Sequence, residues 1–84
     1  MNETESEVHG ALTEILSELG VEPEAIRDSA MLGADLELDS TDAVEVGLEL
    51  KRRFNVTVKV QVKGSETVGD LTKLVLEELV QSGS

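Results

Sequence analysis

A serine at the start of a helical pattern is the residue of this sequence best placed to do chemistry. Ser40 follows Asp39 where a loop rich in turn formers gives way to an acidic, apolar run ending at Phe54. A serine or aspartate at such a junction commonly caps the helix by accepting backbone N–H hydrogen bonds. Alternatively, the serine offers its hydroxyl for chemistry, and the junction alone leaves both interpretations open.

Catalysis by Ser40 itself has little support in the sequence. The G-x-S-x-G elbow of many serine hydrolases is absent, and the single histidine, His9, is distant in the chain. The chain has no cysteine, which excludes thiolate nucleophiles and thiolate metal ligands. The spacing of Asp and Glu does not match an EF-hand loop. We therefore expect no catalytic residue and no metal site.

The composition narrows the classes of partner. The chain carries 18 Asp and Glu against 7 Lys and Arg, a net charge of −11. Nucleic-acid binding is disfavoured because phosphate contacts need clustered basic residues, whereas partners with basic surfaces are favoured. The sequence shows no apolar run of about 20 residues and no signal-peptide pattern, so we expect no membrane partner. The absence of cysteine fits a cytoplasmic protein.

The elements that must position Ser40 are helical. Apolar residues at three- and four-residue spacing predict helices at about 3–19, 40–54 and 67–80. Thr67 and Asp70 resemble a capping box at the start of the third helix. The 84 residues therefore predict one domain, 1–84, with an all-α fold: a small bundle of three main helices. A long loop, 21–39, joins the first two helices, and we expect its leucines to pin it to the core.

The second predicted helix has an apolar and a charged face. Glycine inside a helix costs about 1 kcal/mol relative to alanine, so Gly47 has either a packing reason or leaves room for a bound chain. Leu48 is predicted to be exposed among charges. The residues predicted to face inward are Ala43, Val44, Val46, Gly47, Leu50 and Phe54.

Residues 56–63 alternate between apolar and polar side chains, the pattern of a strand. One strand has no partner in an all-helical domain, so we expect an irregular, extended or short helical segment that packs over the core. An edge strand that pairs in a dimer is the alternative.

Several segments lie at spacings that resemble a known family. Glu45 lies five residues after Ser40 and Phe54 lies fourteen after it, which makes the pattern specific. Together the segments resemble the acyl carrier protein family over residues 8–79. The segments are Leu32-Gly33, Asp35-Leu36, Leu38-Asp39-Ser40-Thr41-Asp42, Val44-Glu45, Leu48-Glu49-Leu50, Phe54 and Thr67-Val68-Gly69-Asp70-Leu71.

This resemblance implies a carrier rather than an enzyme. Ser40 would be the attachment site of a covalent 4′-phosphopantetheine arm, which a phosphopantetheinyl transferase takes from coenzyme A with magnesium. Asp39 would help to position the metal and the cofactor. The arm would hold acyl or aminoacyl groups as thioesters for partner enzymes, and we expect a monomer.

The resemblance also implies a partner surface on the second helix. Acyltransferases, ligases or synthases with basic docking patches would bind there. The predicted contact residues are Thr41, Asp42, Glu45, Leu48 and Glu49.

Some positions depart from the fatty-acid members of that family. Thr41 replaces the usual Leu or Met after the serine, and Lys51-Arg52-Arg53 replaces a commonly acidic helix end. Lys59 and Lys63 lie where acidic residues are usual. These departures favour a carrier of a specialised pathway, such as polyketide, antibiotic or aminoacyl-primed biosynthesis, over the housekeeping fatty-acid carrier. The family resemblance also leaves a fatty-acid-like pathway open. The alternative function is a small acidic helical interaction module in which Ser40 is only a helix cap.

Overall fold

The chain folds into a bundle of three α-helices. The computed structural model describes residues 3–82, with side-chain burial given for residues 4–80. The helices are α1 (Glu3–Glu18), α2 (Ser40–Phe54) and α3 (Val68–Ser82), with a single 3-10 turn at Pro23–Ala25. The predicted all-α bundle and its long loop are confirmed. Within residues 3–82, no helix combines the length and the apolar character needed to cross a membrane.

The core lies between the apolar faces of the three helices. α1 contributes a continuous stripe, and α2 and α3 pack against it. Each fully buried leucine or valine stabilises the fold by about 1.5–3 kcal/mol relative to an exposed one, so this stripe holds the bundle together. The completely buried large side chains are Val8, Leu12, Ile15, Leu16, Leu32, Val46, Leu50, Val56, Val68, Leu71 and Val75.

The loop between α1 and α2 is held against the bundle by buried apolar side chains and by backbone hydrogen bonds. The Leu32 N–H donates to the Glu66 carbonyl at 2.9 Å, and the Val68 N–H donates to the Ala30 carbonyl at 3.0 Å. These bonds join the loop to the start of α3. As predicted, the loop leucines Leu32, Leu36 and Leu38 are buried. Ile26 and Ala30 are buried as well, and Met31 is half-buried.

Residues 55–62 have no regular secondary structure. Val56 is buried, and Val58, Val60 and Val62 are half-buried against the core, while the polar residues between them are exposed. The expected irregular segment packed over the core is therefore confirmed. The alternation reflects one covered side and one solvent side, as in a strand, but without a pairing strand among the described residues.

Gly33 allows this segment to approach the loop closely. A Cβ atom at Gly33 would collide with the carbonyl oxygen of Val62. By contrast, a Cβ at Gly10, in the exposed part of α1, would meet no atom within 4 Å. Glycine at position 33 is therefore required by the packing of backbone against backbone.

One predicted core residue of α2 faces solvent. Val44 is 61% exposed, so its assignment to the inward face is wrong, whereas Leu48 is 53% exposed as predicted. The reason is the helical period: Val44 and the buried Val46 are separated by about 200° around the helix axis, too far apart to share one face. The buried face of α2 contains Val46 and Leu50.

We expect Gly33→Ala to destabilise the protein by about 1–3 kcal/mol, because the new methyl group forces the 55–62 segment away from the loop. Gly10→Ala is the matched control. It should stabilise the protein by about 1 kcal/mol, because alanine is the better helix former. Urea unfolding measures both changes, and equal effects of the two substitutions would contradict the close approach at Gly33.

Candidate functional site

A reciprocal pair of hydrogen bonds starts α2. The Asp42 N–H donates to Oδ1 of Asp39 at 2.9 Å, and the Asp39 N–H donates to Oδ2 of Asp42 at 3.1 Å. Asp39 is the N-cap residue, with an extended backbone at φ −109° and ψ −175°. The three-residue spacing is the same as in the Thr67 and Asp70 box, whose two hydrogen bonds are also present. That spacing was the sequence signal for this cap.

Ser40 is the first residue of α2, and its side chain is exposed. The two capping bonds are made by Asp39 and Asp42, so Ser40 does not supply the side-chain cap. Its interpretation as a helix cap is therefore wrong. Among residues 3–82, no hydrogen bond engages the Ser40 hydroxyl. The Ser40 hydroxyl is therefore exposed and takes no part in the hydrogen bonds that start the helix.

The loop before Ser40 presents its carboxylates to solvent. Glu37 has a left-handed backbone, with φ 56°, which is uncommon for a residue other than glycine. The Asp35 carboxylate accepts a hydrogen bond of 2.8 Å from the Met31 N–H, which closes the turn. Acidic and apolar residues alternate here: Asp35, Glu37 and Asp39 are exposed, while Leu36 and Leu38 are buried.

The predicted partner residues of α2 differ in their availability. Thr41, Glu45 and Leu48 are exposed, whereas Asp42 and Glu49 are half-buried. Asp42 is already engaged in the cap. The carboxylate of Glu49 lies 3.1 Å from Arg52 Nη1 and 3.7 Å from Arg53 Nε.

A groove runs between α2 and residues 56–63. It has a volume of about 680 Å³, and Ser40 and Gly47 are among its lining residues. A Cβ atom at Gly47 would lie 3.6 Å from the Val58 carbonyl oxygen, an ordinary contact. Packing therefore does not require glycine at position 47, and the missing side chain leaves space in the groove.

The single histidine does not join Ser40. His9 lies in a different cavity, formed by residues of α1 and α3, and its Nε2 is 3.4 Å from Oδ1 of Asp28. Among residues 3–82, no group of three or more His, Asp and Glu side chains is arranged to hold a metal ion. The histidine and Ser40 therefore lie at different places on the surface.

Among the described residues, one titratable group has a shifted pKa, and it lies outside the groove. Burial raises the pKa of the Glu66 carboxyl, the negative charge of Asp70 raises this pKa further, and a backbone hydrogen bond from Gln61 opposes both. Oε1 of Glu66 is buried without a hydrogen-bond partner among the described residues. This carboxyl belongs to the junction before α3 rather than to the Ser40 site.

Comparisons with known proteins agree with this architecture. Residues 11–75 match the family described as the phosphopantetheine attachment site. The chain is 30% identical over 82 residues to the meromycolate extension acyl carrier protein of Mycolicibacterium smegmatis, covering 93% of this chain and 83% of that protein. It is 36% identical over 73 residues to an acyl carrier protein of Saccharopolyspora erythraea, covering 84% and 77%.

The chain belongs to the acyl carrier protein family, which implies a covalently attached 4′-phosphopantetheine. A third relative, an acyl carrier protein of Wolinella succinogenes, is 29% identical over 62 residues, covering 73% of this chain and 82% of that protein. No solved structure matches the chain significantly.

Asp39→Ala should cost about 1 kcal/mol of unfolding free energy, because it removes the N-cap acceptor of α2. Ser40→Ala should change the free energy by less than about 0.5 kcal/mol, as is usual for an exposed residue outside such features. Chemical denaturation of the unmodified protein measures both. A loss at Ser40→Ala as large as that at Asp39→Ala would restore the cap interpretation of Ser40.

Proposed function

We propose that this chain is a carrier protein that holds acyl or aminoacyl intermediates as thioesters on a 4′-phosphopantetheine arm attached to Ser40, and that it catalyses no reaction itself. One observation carries the assignment of Ser40. Its exposed hydroxyl lies at the first residue of α2 and is left out of the capping box. A transferase can therefore modify this hydroxyl without breaking the hydrogen bonds that start the helix.

The residues around Ser40 fit a phosphate ester. The start of a helix carries partial positive charge, which favours an attached phosphate group. Asp39 uses Oδ1 for the cap, so its other carboxylate oxygen can face a metal ion brought by the transferase. We assign to Asp39 this positioning role during attachment.

The arm would supply the thiol that this cysteine-free chain lacks. Tethering of the cargo raises its effective concentration at each partner enzyme, which is the contribution of a carrier to the reactions of others. The groove beside Ser40 offers a place where the cargo is sheltered from water.

Partner enzymes would dock on the exposed face of α2. Leu48 provides an apolar contact beside the exposed carboxylate of Glu45, and Thr41 lies next to the attachment site. Asp42 and Glu49 belong to the same proposed surface, although their carboxylates already have intramolecular partners. Basic patches on a phosphopantetheinyl transferase, an acyltransferase, a ligase or a synthase would complement this surface.

The proposed pathway is a specialised one, of polyketide or aminoacyl-primed type. Its support is the set of departures from fatty-acid carriers, which include Thr41 beside the attachment site and Lys59 and Lys63 before α3. Thr41 makes the position next to Ser40 more polar, and Lys59 and Lys63 change the charge that docking enzymes meet before α3.

Incubation with coenzyme A, magnesium and a promiscuous phosphopantetheinyl transferase should add one phosphopantetheine to the chain, as measured by intact-protein mass spectrometry. Ser40→Ala should abolish the addition, because the acceptor hydroxyl is gone. Ser65→Ala, which changes another exposed serine, should be modified as fully as the wild type. A wild-type chain that several transferases leave unmodified would favour the acidic interaction module instead.

Asp39→Asn separates the two roles of Asp39. Asparagine caps helices about as well as aspartate, so the unfolding free energy should change by less than about 1 kcal/mol. The lost charge should nevertheless slow the attachment reaction by about tenfold or more, as expected when a charged group loses more than about 1.4 kcal/mol of interaction with the metal. Initial rates of phosphopantetheine transfer measure this. An unchanged rate would remove Asp39 from the attachment step.

A further inference from the structure

The groove beside Ser40 has an unusual charge for this protein. Three of the seven basic residues of the chain, Lys51, Lys59 and Lys63, line it. Of the residues that the structure describes, no Asp or Glu lines this groove, although acidic residues outnumber basic ones 18 to 7. The groove is therefore a positively charged site on a protein with a net charge of −11.

The lysines of the groove have no intramolecular ion-pair partner among residues 3–82. Arg52 and Arg53, which follow Lys51 on α2, are instead paired with Glu49, and Arg53 lies 3.4 Å from Glu14 as well. Lys59 and Lys63 also border smaller cavities, which Glu66 and Glu77 line from the α3 side. Lys51, by contrast, lines the groove and none of these other cavities. It is therefore the lysine most available to a molecule bound in the groove.

The walls between these charges are apolar. The α2 wall is formed by Ala43, Val44, Gly47 and Leu48, the last of which also borders the proposed docking face. The alternating valines of 56–63 form the other wall. Val58 lies opposite Gly47, so the segment after α2 returns along the helix. An apolar wall of low dielectric strengthens the field of nearby charges, so an anion bound here meets more attraction than at an open surface.

The groove begins at Ser40 and reaches Lys51. Lys51 lies eleven positions after Ser40 on the same α-helix, which corresponds to a rise of about 16 Å along the helix axis. The cargo is joined to Ser40 through the phosphopantetheine arm. An apolar cargo chain that folds back from the arm into the groove can lie along the valines while a charged group at its far end meets a lysine.

We propose that the groove selects cargo with an apolar body and an anionic far end, such as an acyl chain that terminates in a carboxylate. This inference rests on the proposed carrier function, because Ser40 delivers the cargo. The apolar walls bind the chain, and Lys51 binds the carboxylate at the far end. Lys59 and Lys63 follow Val58 as the segment returns toward Ser40, so they add positive charge along the groove. A neutral chain of the same length gains only the apolar contacts.

The test compares two cargoes of equal carbon number, octanoyl and its ω-carboxylated counterpart, each loaded from its coenzyme A thioester by the transferase. Mass spectrometry verifies the loading of each. Cleavage of the thioester by added hydroxylamine then reports how well the cargo is sheltered. In wild type, the carboxylated cargo should be cleaved about threefold more slowly than octanoyl, the effect of one partly exposed ion pair. High salt should reduce this difference.

Lys51→Gln should abolish most of the difference between the two cargoes. Lys73→Gln is the matched control, because it removes the same charge from an exposed lysine outside the groove and should preserve the difference. Thermal unfolding of each variant confirms that the fold is retained.

The possible results separate the selectivity from the carrier function. Loading of both cargoes with equal cleavage rates in wild type overturns the selectivity and leaves the carrier function intact. A difference in cleavage rate between the two cargoes that survives Lys51→Gln also overturns the selectivity. A difference that appears only as the protein concentration rises overturns it too, and would assign the groove to a second copy of the chain. Failure to load either cargo, or coenzyme A alone, removes the carrier function and this inference with it.

Discussion

The hydrogen bonds at the start of α2 decide what Ser40 can do. A helix begins with backbone N–H groups that lack partners within the helix, and something nearby must satisfy them. Here Asp39 and Asp42 do so reciprocally, at 2.9 and 3.1 Å. A serine that capped the helix would lose that bond on modification, at a cost of about 1 kcal/mol. Because Asp39 and Asp42 make the capping hydrogen bonds, Ser40 between them stays exposed at the start of the helix.

That helix end is held by a loop that behaves as part of the core. Leu36 and Leu38 are buried just before the junction, and the loop backbone bonds to the residues that start α3. Burying these leucines is worth about 1.5–3 kcal/mol each, enough to offset the entropy lost in ordering the few residues around them. The position of Ser40 therefore depends on contacts with α3, an element that lies almost thirty residues further along the chain.

α2 separates two kinds of charge. Its exposed face carries Glu45 beside the apolar Leu48, which suits a partner with a basic patch. Its groove side ends at Lys51, while Arg52 pairs with Glu49 and Arg53 pairs with both Glu49 and Glu14. The segment 56–63 makes this separation possible because it turns valines toward the bundle and leaves lysines at the edge of the groove. One helix can thus present an acidic surface to enzymes and a basic groove to cargo.

Local patterns in the sequence determined the three helices, the burial of the loop leucines and the irregular segment after α2, because helical period, turn residues and alternation act over a few neighbours. The segments around Ser40 were also sufficient to predict the family. Only the tertiary structure decided that Asp39 rather than Ser40 caps α2, that Val44 faces solvent, and that Gly33 admits the Val62 carbonyl. The same holds for the groove, whose lysines come from α2 and from a segment that alternates like a strand but has no strand to pair with. Which face of a helix is covered, and by which segment, depends on packing between residues far apart in the chain, and the helical period by itself does not contain that information.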